Sequence, residues 1–328
     1  MKNPAQSSGI QKAESYLAPE TLLQLSSFEL RAKMIVEGIR SGLHASPHQG
    51  MSVEFNQHRT YTPGDDLRHL DWKVYGRSDR LTVKQYEQET TLDVLLLVDC
   101  SASMKFGTLE PKSGWGGTDG SRSSSRWTKF DHATATAAAL AWMALQNTDR
   151  VGVHLFAEGL QHSLNQRSTE QQWRQVVSLL SRQAIEGGTD FNTSIDQILS
   201  LVSNRSLFII LSDFLENPGV LRSVFAKFLH KRHDLLCIQV LDNEEIEFNN
   251  QDPTSFLDLE SETEIKLDPT LIRDSYRESL RNHEAELRRG LVDHGFDFIQ
   301  MNSHDPVGPA LARSASRRRE WLKNRHAG

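Results

Sequence analysis

At 328 residues the chain is long enough for one large domain or two modest ones, each able to bury a real core. Its net charge of −6 argues against a general nucleic-acid binder, which needs a basic surface to neutralise phosphates, and its 38% hydrophobic and 24% charged content is that of an ordinary soluble globular protein. The two cysteines, Cys100 and Cys237, offer neither a disulfide framework nor metal-ligand spacing, which fits a reducing compartment.

In chain order, residues 1–20 read as a flexible polar lead without the basic start and apolar stretch of a signal peptide. The longest apolar runs, such as residues 94–98 and 207–211, are far too short to span a bilayer, so a cytoplasmic protein with no membrane insertion is expected. Residues 21–91 form an N-terminal extension. A helix is predicted over 21–41, where Leu22, Leu25, Leu30 and Met34 recur at helical spacing, and residues 42–50 read as a loop. Strand-like pieces at 52–61 and 81–91 flank the segment 62–80. There Pro63-Gly64 is a turn, and Asp65 or Asp66 can cap a short helix that carries Leu67, Leu70 and Val74 inward, with Asp71 pairing to Lys73 or Arg68. Glu87 and Glu89 fall on one strand face and read as solvated acids.

Over residues 92–302 short, continuous apolar strands alternate with helices. Strands are predicted at 93–98, 151–156, 207–211, 235–241 and 296–301, and helices at 130–146, 169–182, 191–202 and 218–230. This pattern predicts an α/β fold, a doubly wound, mostly parallel sheet covered on both faces. Two insertions interrupt it. Residues 107–128 are Gly/Ser-rich and aperiodic, which predicts a long mobile loop; Trp127, beside a helix start, is expected to be pinned onto the domain, and Trp115 to be available to a partner. Residues 243–267 hold Glu245–Phe248 and Glu264–Leu267, which can pair as a hairpin. The following helix, 268–294, carries Ile272, Tyr276, Leu280, Leu287 and Leu291 on one stripe; His283 shares that stripe and reads as a packed or edge histidine, not a ligand. Residues 303–328 read as a C-terminal helix and basic tail (Arg313, Arg317, Arg318, Arg319, Lys323, Arg325), either solvated or facing an acidic partner.

The chemistry concentrates at Leu95-Leu96-Leu97-Val98-Asp99-Cys100-Ser101-Ala102-Ser103-Met104. A buried strand ends in Asp99, and the turn after it presents Ser101 and Ser103 at the carboxyl end, where open α/β sheets bind ligands. Asp213 follows the strand 207–211, and between them Gly187-Gly188-Thr189-Asp190 offers a glycine turn and the Thr189 hydroxyl. The set holds hydroxyls and carboxylates but no imidazole or thiolate, a donor chemistry that suits a hard cation, Mg²⁺ or Mn²⁺. The donors leave a coordination position for water or for an acidic group of a partner.

The alternation and this motif resemble the von Willebrand factor A fold and its metal-ion-dependent adhesion site. The resemblance implies that Asp99, Ser101, Ser103, Thr189 and Asp213 coordinate the metal, Asp213 often through water. The preceding segment, from His58-Arg59-Thr60-Tyr61-Thr62-Pro63-Gly64-Asp65-Asp66 through Leu70-Asp71-Trp72-Lys73 to Lys84-Gln85-Tyr86-Glu87, looks like the signature of a bacterial domain-of-unknown-function family, number fifty-eight, found beside MoxR-type AAA+ ATPases. The long 107–128 insertion departs from that pattern. The implied role is a metal-dependent protein-binding adaptor or co-chaperone, partnered by a MoxR-type AAA+ ATPase and an unknown client, and not an enzyme. Two alternatives remain open: a Mg²⁺-dependent phosphotransferase or hydrolase using Asp99, and a metal-free structural scaffold. Against the enzyme, Ser101 stands where a second acid is wanted, and there is no phosphate-binding Gly-x-x-x-x-Gly-Lys run.

Overall fold

The computed structural model describes residues 55–62, 70–78, 80–86, 91–110, 126–182, 187–249, 254–257 and 264–307. The expected lead, the helix 21–41, the loop 42–50, Asp65, Asp66, Glu87, Glu89, Trp115 and the basic tail from residue 308 lie outside the described residues. The chain divides into two compact units, one of residues 46–91 and one of residues 1–45 with 92–328.

In the smaller unit β1 (Phe55–Thr60) and β2 (Thr82–Tyr86) pair antiparallel, with α1 (Trp72–Ser78) between them in sequence. The helix carrying Val74 starts at Trp72 with Asp71 at its cap; the expected cap residues Asp65 and Asp66 lie outside the described residues. The Asp71 Oδ1 accepts from the backbone N–H groups of Lys73 (3.0 Å) and Val74 (3.2 Å), so this carboxylate serves the helix end; Arg68, one of its expected ion-pair partners, lies outside the described residues.

The larger unit runs β3 (Asp93–Asp99), α2 (Lys129–Gln146), β4 (Arg150–Phe156), β5 (Leu160–Arg167), α3 (Glu170–Arg182), α4 (Phe191–Ser200), β6 (Leu207–Ser212), α5 (Pro218–His230), β7 (Asp234–Leu241), α6 (Asn243–Glu247), β8 (Thr254–Leu257), β9 (Glu264–Leu267), α7 (Pro269–Asp293) and β10 (Asp297–Asn302). Six strands form one sheet in the order β10-β7-β6-β3-β4-β5, parallel except for β5, which runs antiparallel to β4. This is the expected doubly wound sheet. Every residue of β3 is buried because both faces are covered. Val94, Leu96 and Val98 face the alanine-rich α2, while Leu95 and Leu97 face a second core with Ile195, Phe225, Phe228 and Leu287 from α4, α5 and α7.

Two elements differ from the expectation. β5 escapes the sequence reading because it is an edge strand with one solvated face, so only Leu160 and Leu164 mark it. Residues 245–248 are not the first strand of the hairpin. Asp242 accepts from the Glu244 N–H at 3.0 Å, while the Glu245 carboxylate accepts from the Asp242 N–H at 2.8 Å; this reciprocal box starts the short helix α6. Glu264–Leu267 does pair antiparallel, but with Thr254–Leu257. No helix among the described residues is long and apolar enough to cross a membrane.

The core also holds neutral imidazoles. Burial pushes His154 down to about 4; burial and, secondarily, the charge of His304 push His132 down to about 3. Both folded values lie below the ordinary 6.5, so the stability they contribute is complete above that value and is lost as pH falls from 6.5 toward 4. His154→Gln should remove about 3 kcal/mol of that acid loss by pH 4, read from urea unfolding at a series of pH values. An unchanged pH profile in the variant would place the acid sensitivity elsewhere.

Candidate metal centre at the carboxyl edge of the sheet

β3 and β6 are neighbours, but the chain leaves them in opposite directions across the sheet, from β3 toward β4 and from β6 toward β7. A crevice opens where connections diverge in this way, outside the carboxyl ends of the two strands. Asp99 ends β3, and Asp213 follows the last residue of β6.

The Asp99 carboxylate is fully buried. One oxygen accepts from the Ser101 N–H at 2.9 Å, and the other from the Ser212 hydroxyl at 2.6 Å. Ser101 is also buried, and its hydroxyl lies 3.1 Å from that of the half-buried Ser103. The turn before α4 is drawn to the same end by the Ala102 N–H donating to the Gly187 carbonyl at 2.8 Å, which brings the half-buried Thr189 to this edge. No hydrogen bond joins the Thr189 hydroxyl to the other four predicted residues. Those four form one cluster, and Thr189 stands at its rim.

Asp213 is held from several sides. Its carbonyl accepts from Gln239 Nε2 at 2.9 Å, and Oδ1 from the Leu215 N–H at 3.3 Å. The next residue, Phe214, takes a left-handed φ of 53°, a conformation that costs a non-glycine residue roughly 1–3 kcal/mol and persists only where the surroundings impose it. They do: its buried ring stacks on Phe191 at 5.6 Å, and its carbonyl accepts from His283 Nε2 at 2.8 Å. His283 is thus a packed histidine as expected, and it also fixes the loop that carries Asp213.

Lys129, the first residue of α2, is the largest departure from the expected site. Its side chain is 1% exposed, and its ammonium lies 2.9 Å from Asp213 Oδ2 and 2.6 Å from Glu245 Oε1. Sequence inspection gave no reason to join residues 129, 213 and 245; only the folded topology does. Ser212, whose hydroxyl donates to Asp99, is visible in Leu211-Ser212-Asp213, but nothing in that motif singles it out.

The electrostatics follow from these contacts. Burial, and then the negative charge of Asp213, push Asp99 up to about 7 against the hydrogen bonds from Ser212 and Ser101. Burial acts to raise Asp213 as well, but the Lys129 charge, with hydrogen bonds from Lys129 and Ser103, holds it below the usual carboxylate range. Asp213 therefore has its counter-ion within the protein and Asp99 does not. A buried carboxylate lacking a positive partner, with hydroxyls beside it and an opening at Ser103 and Thr189, fits a hard divalent cation in donor type. Among the described residues no group of three or more His, Cys, Asp and Glu is placed to hold a metal ion, so the set here rests on two carboxylates and the hydroxyls beside them.

The profile of the family described as "Protein of unknown function DUF58" matches residues 57–286. The uncharacterized protein Mb1516 of Mycobacterium bovis is 28% identical over 311 residues, covering 93% of this chain and 92% of its own length, and the uncharacterized protein Rv1480 of Mycobacterium tuberculosis gives the same figures. Among solved structures, the chain is similar to the conserved hypothetical protein BatB from Bacteroides thetaiotaomicron (TM-score 0.46, 13% identity, 71% of this chain and 99% of that one). It is also similar to the SpRpn10 VWA domain (TM-score 0.42, 10% identity, 69% and 95%).

Proposed function

This chain belongs to the DUF58 family and has a von Willebrand factor A-like sheet, and we propose that it is a protein-binding adaptor whose interface is completed by Mg²⁺ or Mn²⁺. Asp99, Ser101 and Ser103 would hold the ion directly, with Thr189 from the rim and Asp213 contributing through water. The bound ion supplies a concentrated positive charge that an acidic side chain of a partner can complete. The observation that carries this reading is the buried Asp99 carboxylate, raised to about 7 by burial and by Asp213, beside two converging hydroxyls. A divalent ion would relieve that unfavourable charge.

The same geometry disfavours Asp99 as a nucleophile. Ser101 stands where a second acid would be wanted, and the buried cation at this edge, Lys129, is already paired with Asp213 and Glu245 and is not free for a transferred phosphate. The partner in this reading is a MoxR-type AAA+ ATPase acting on an unknown client, a step that rests on the resemblance of the 58–87 segment and not on residue chemistry. A cytoplasmic setting belongs to the same reading, supported by two free, buried thiols.

Calorimetry on the purified protein should find one Mg²⁺ or Mn²⁺ site, and Asp99→Asn should abolish it while circular dichroism stays unchanged. Asparagine is the right probe: Asp99 is buried, not at an exposed strand end, and alanine would strand the Ser212 hydroxyl and the Ser101 N–H. Full metal affinity in Asp99→Asn would refute the assignment. Capture of the AAA+ partner from the native cell should then depend on Mg²⁺ and fail with this variant.

A further inference from the structure

A buried ammonium beside a cation site needs its own explanation. Lys129 opens α2, and the N-terminus of a helix is the electrostatically wrong end for a positive charge. Its side chain is sealed from water, with the Phe106 ring 6.0 Å from Nζ. Two carboxylates, Asp213 and Glu245, compensate the charge, and they arrive from different strand ends, after β6 and after β7. Glu245 is itself fixed, because its other oxygen accepts from the Asp242 N–H at 2.8 Å. The ammonium is therefore suspended between an anchored acid and an acid of the predicted metal set.

We propose that Lys129 is a tethered cation that competes with the divalent ion for Asp213, setting a weak metal affinity, and that Glu245 tunes the competition by drawing the ammonium away. The inference rests on the metal-site reading above. A divalent ion reaching Asp213 meets a carboxylate already neutralised and a like charge 2.9 Å beyond it. The site keeps its shape without metal, because the lysine supplies the charge that holds the β6 loop closed. Occupancy then follows the local metal concentration, or a partner carboxylate that adds to the ligand set, and the ion is not locked in permanently.

The opposite role is also a definite one: Lys129 could orient Asp213 toward the metal and so strengthen binding. The two roles predict opposite signs. Calorimetric titrations with MgCl₂ and MnCl₂ on the full chain should show Lys129→Met binding about tenfold more tightly than the parent, since a nearby positive charge has gone. Glu245→Gln can still accept from the Asp242 N–H but surrenders the ammonium wholly to Asp213, and it should bind several-fold more weakly. Equal or weaker binding by Lys129→Met overturns the proposal. If that variant fails to fold, Glu245→Gln decides alone, and unchanged or tighter binding there overturns it. Metal bound by Lys129→Met but not by the parent supports it. Metal bound by neither overturns the metal reading along with this one, whereas a parent that binds and a Lys129→Met that binds no better overturns only the role of the lysine.

Discussion

Trp127→Ala is expected to destabilise the larger unit by about 3–5 kcal/mol, the range for removing a fully buried tryptophan that leaves a cavity. The indole is completely buried in the core on the α2 face of the sheet, and Nε1 donates to His132 Nδ1 at 3.3 Å. Its backbone is equally committed. The Trp127 N–H donates to the Leu109 carbonyl at 2.9 Å, and a Cβ at Gly107 would overlap the Trp127 carbonyl and come within 2.7 Å of Thr128 Cα. The next residue, Thr128, caps α2 in a reciprocal box with Asp131 and so places Lys129 at the site. The loss should therefore show twice, as a lower urea midpoint and, in the protein that remains folded, as Mg²⁺ binding shifted in the direction of Lys129→Met, because a displaced Lys129 no longer holds Asp213. Trp127→Phe keeps most of the volume and should lose much less. A destabilisation under about 1 kcal/mol for the alanine variant would mean that the site collapses around the gap or that the indole does not sit in the core.

The elements that were legible in the sequence carry their physics locally. The strand at 93–99 is apolar on both faces, and the helix at 218–230 has proline at its first position behind an Asn217 cap, so each is marked by its own residues. Trp127 reads as pinned because it adjoins the α2 start. The DxSxS turn was legible because strand, turn and hydroxyls are contiguous. β5 was not, since an antiparallel edge strand needs few apolar residues, and Glu245–Phe248 misled because its apolar positions suit a strand until the Asp242 box is weighed. Nothing local could announce Lys129. A lysine at a helix start reads as solvated, and its burial follows from where β6 and β7 deliver Asp213 and Glu245, contacts spanning 84 and 116 residues of chain.

That long-range pairing makes Lys129→Met the other large expected effect on stability. In chelator at pH 7 the variant should unfold about 3–5 kcal/mol more easily, because removing one member of a buried ion pair leaves its partners charged and uncompensated. The pH dependence separates this cause from a packing defect. In the parent, burial works to raise Asp213 but Lys129 outweighs it, so the folded value lies below the ordinary 3.8. The pair's contribution is then complete above 3.8 and is lost only as pH falls through the folded value. Without the lysine the sign reverses. Asp213 then rises above its ordinary value, Glu245, which burial already holds above its ordinary value in the parent, rises further, and the folded variant takes up protons before its unfolded chain does. Acidification from pH 7 toward pH 4 therefore relieves the variant, and its stability gap to the parent should narrow. The buried histidines act on both proteins alike and cancel in that difference. Urea midpoints for the pair, measured in chelator across this range, give the answer directly: a gap that stays constant with pH would assign the loss to the shape of methionine and not to the charge it removed.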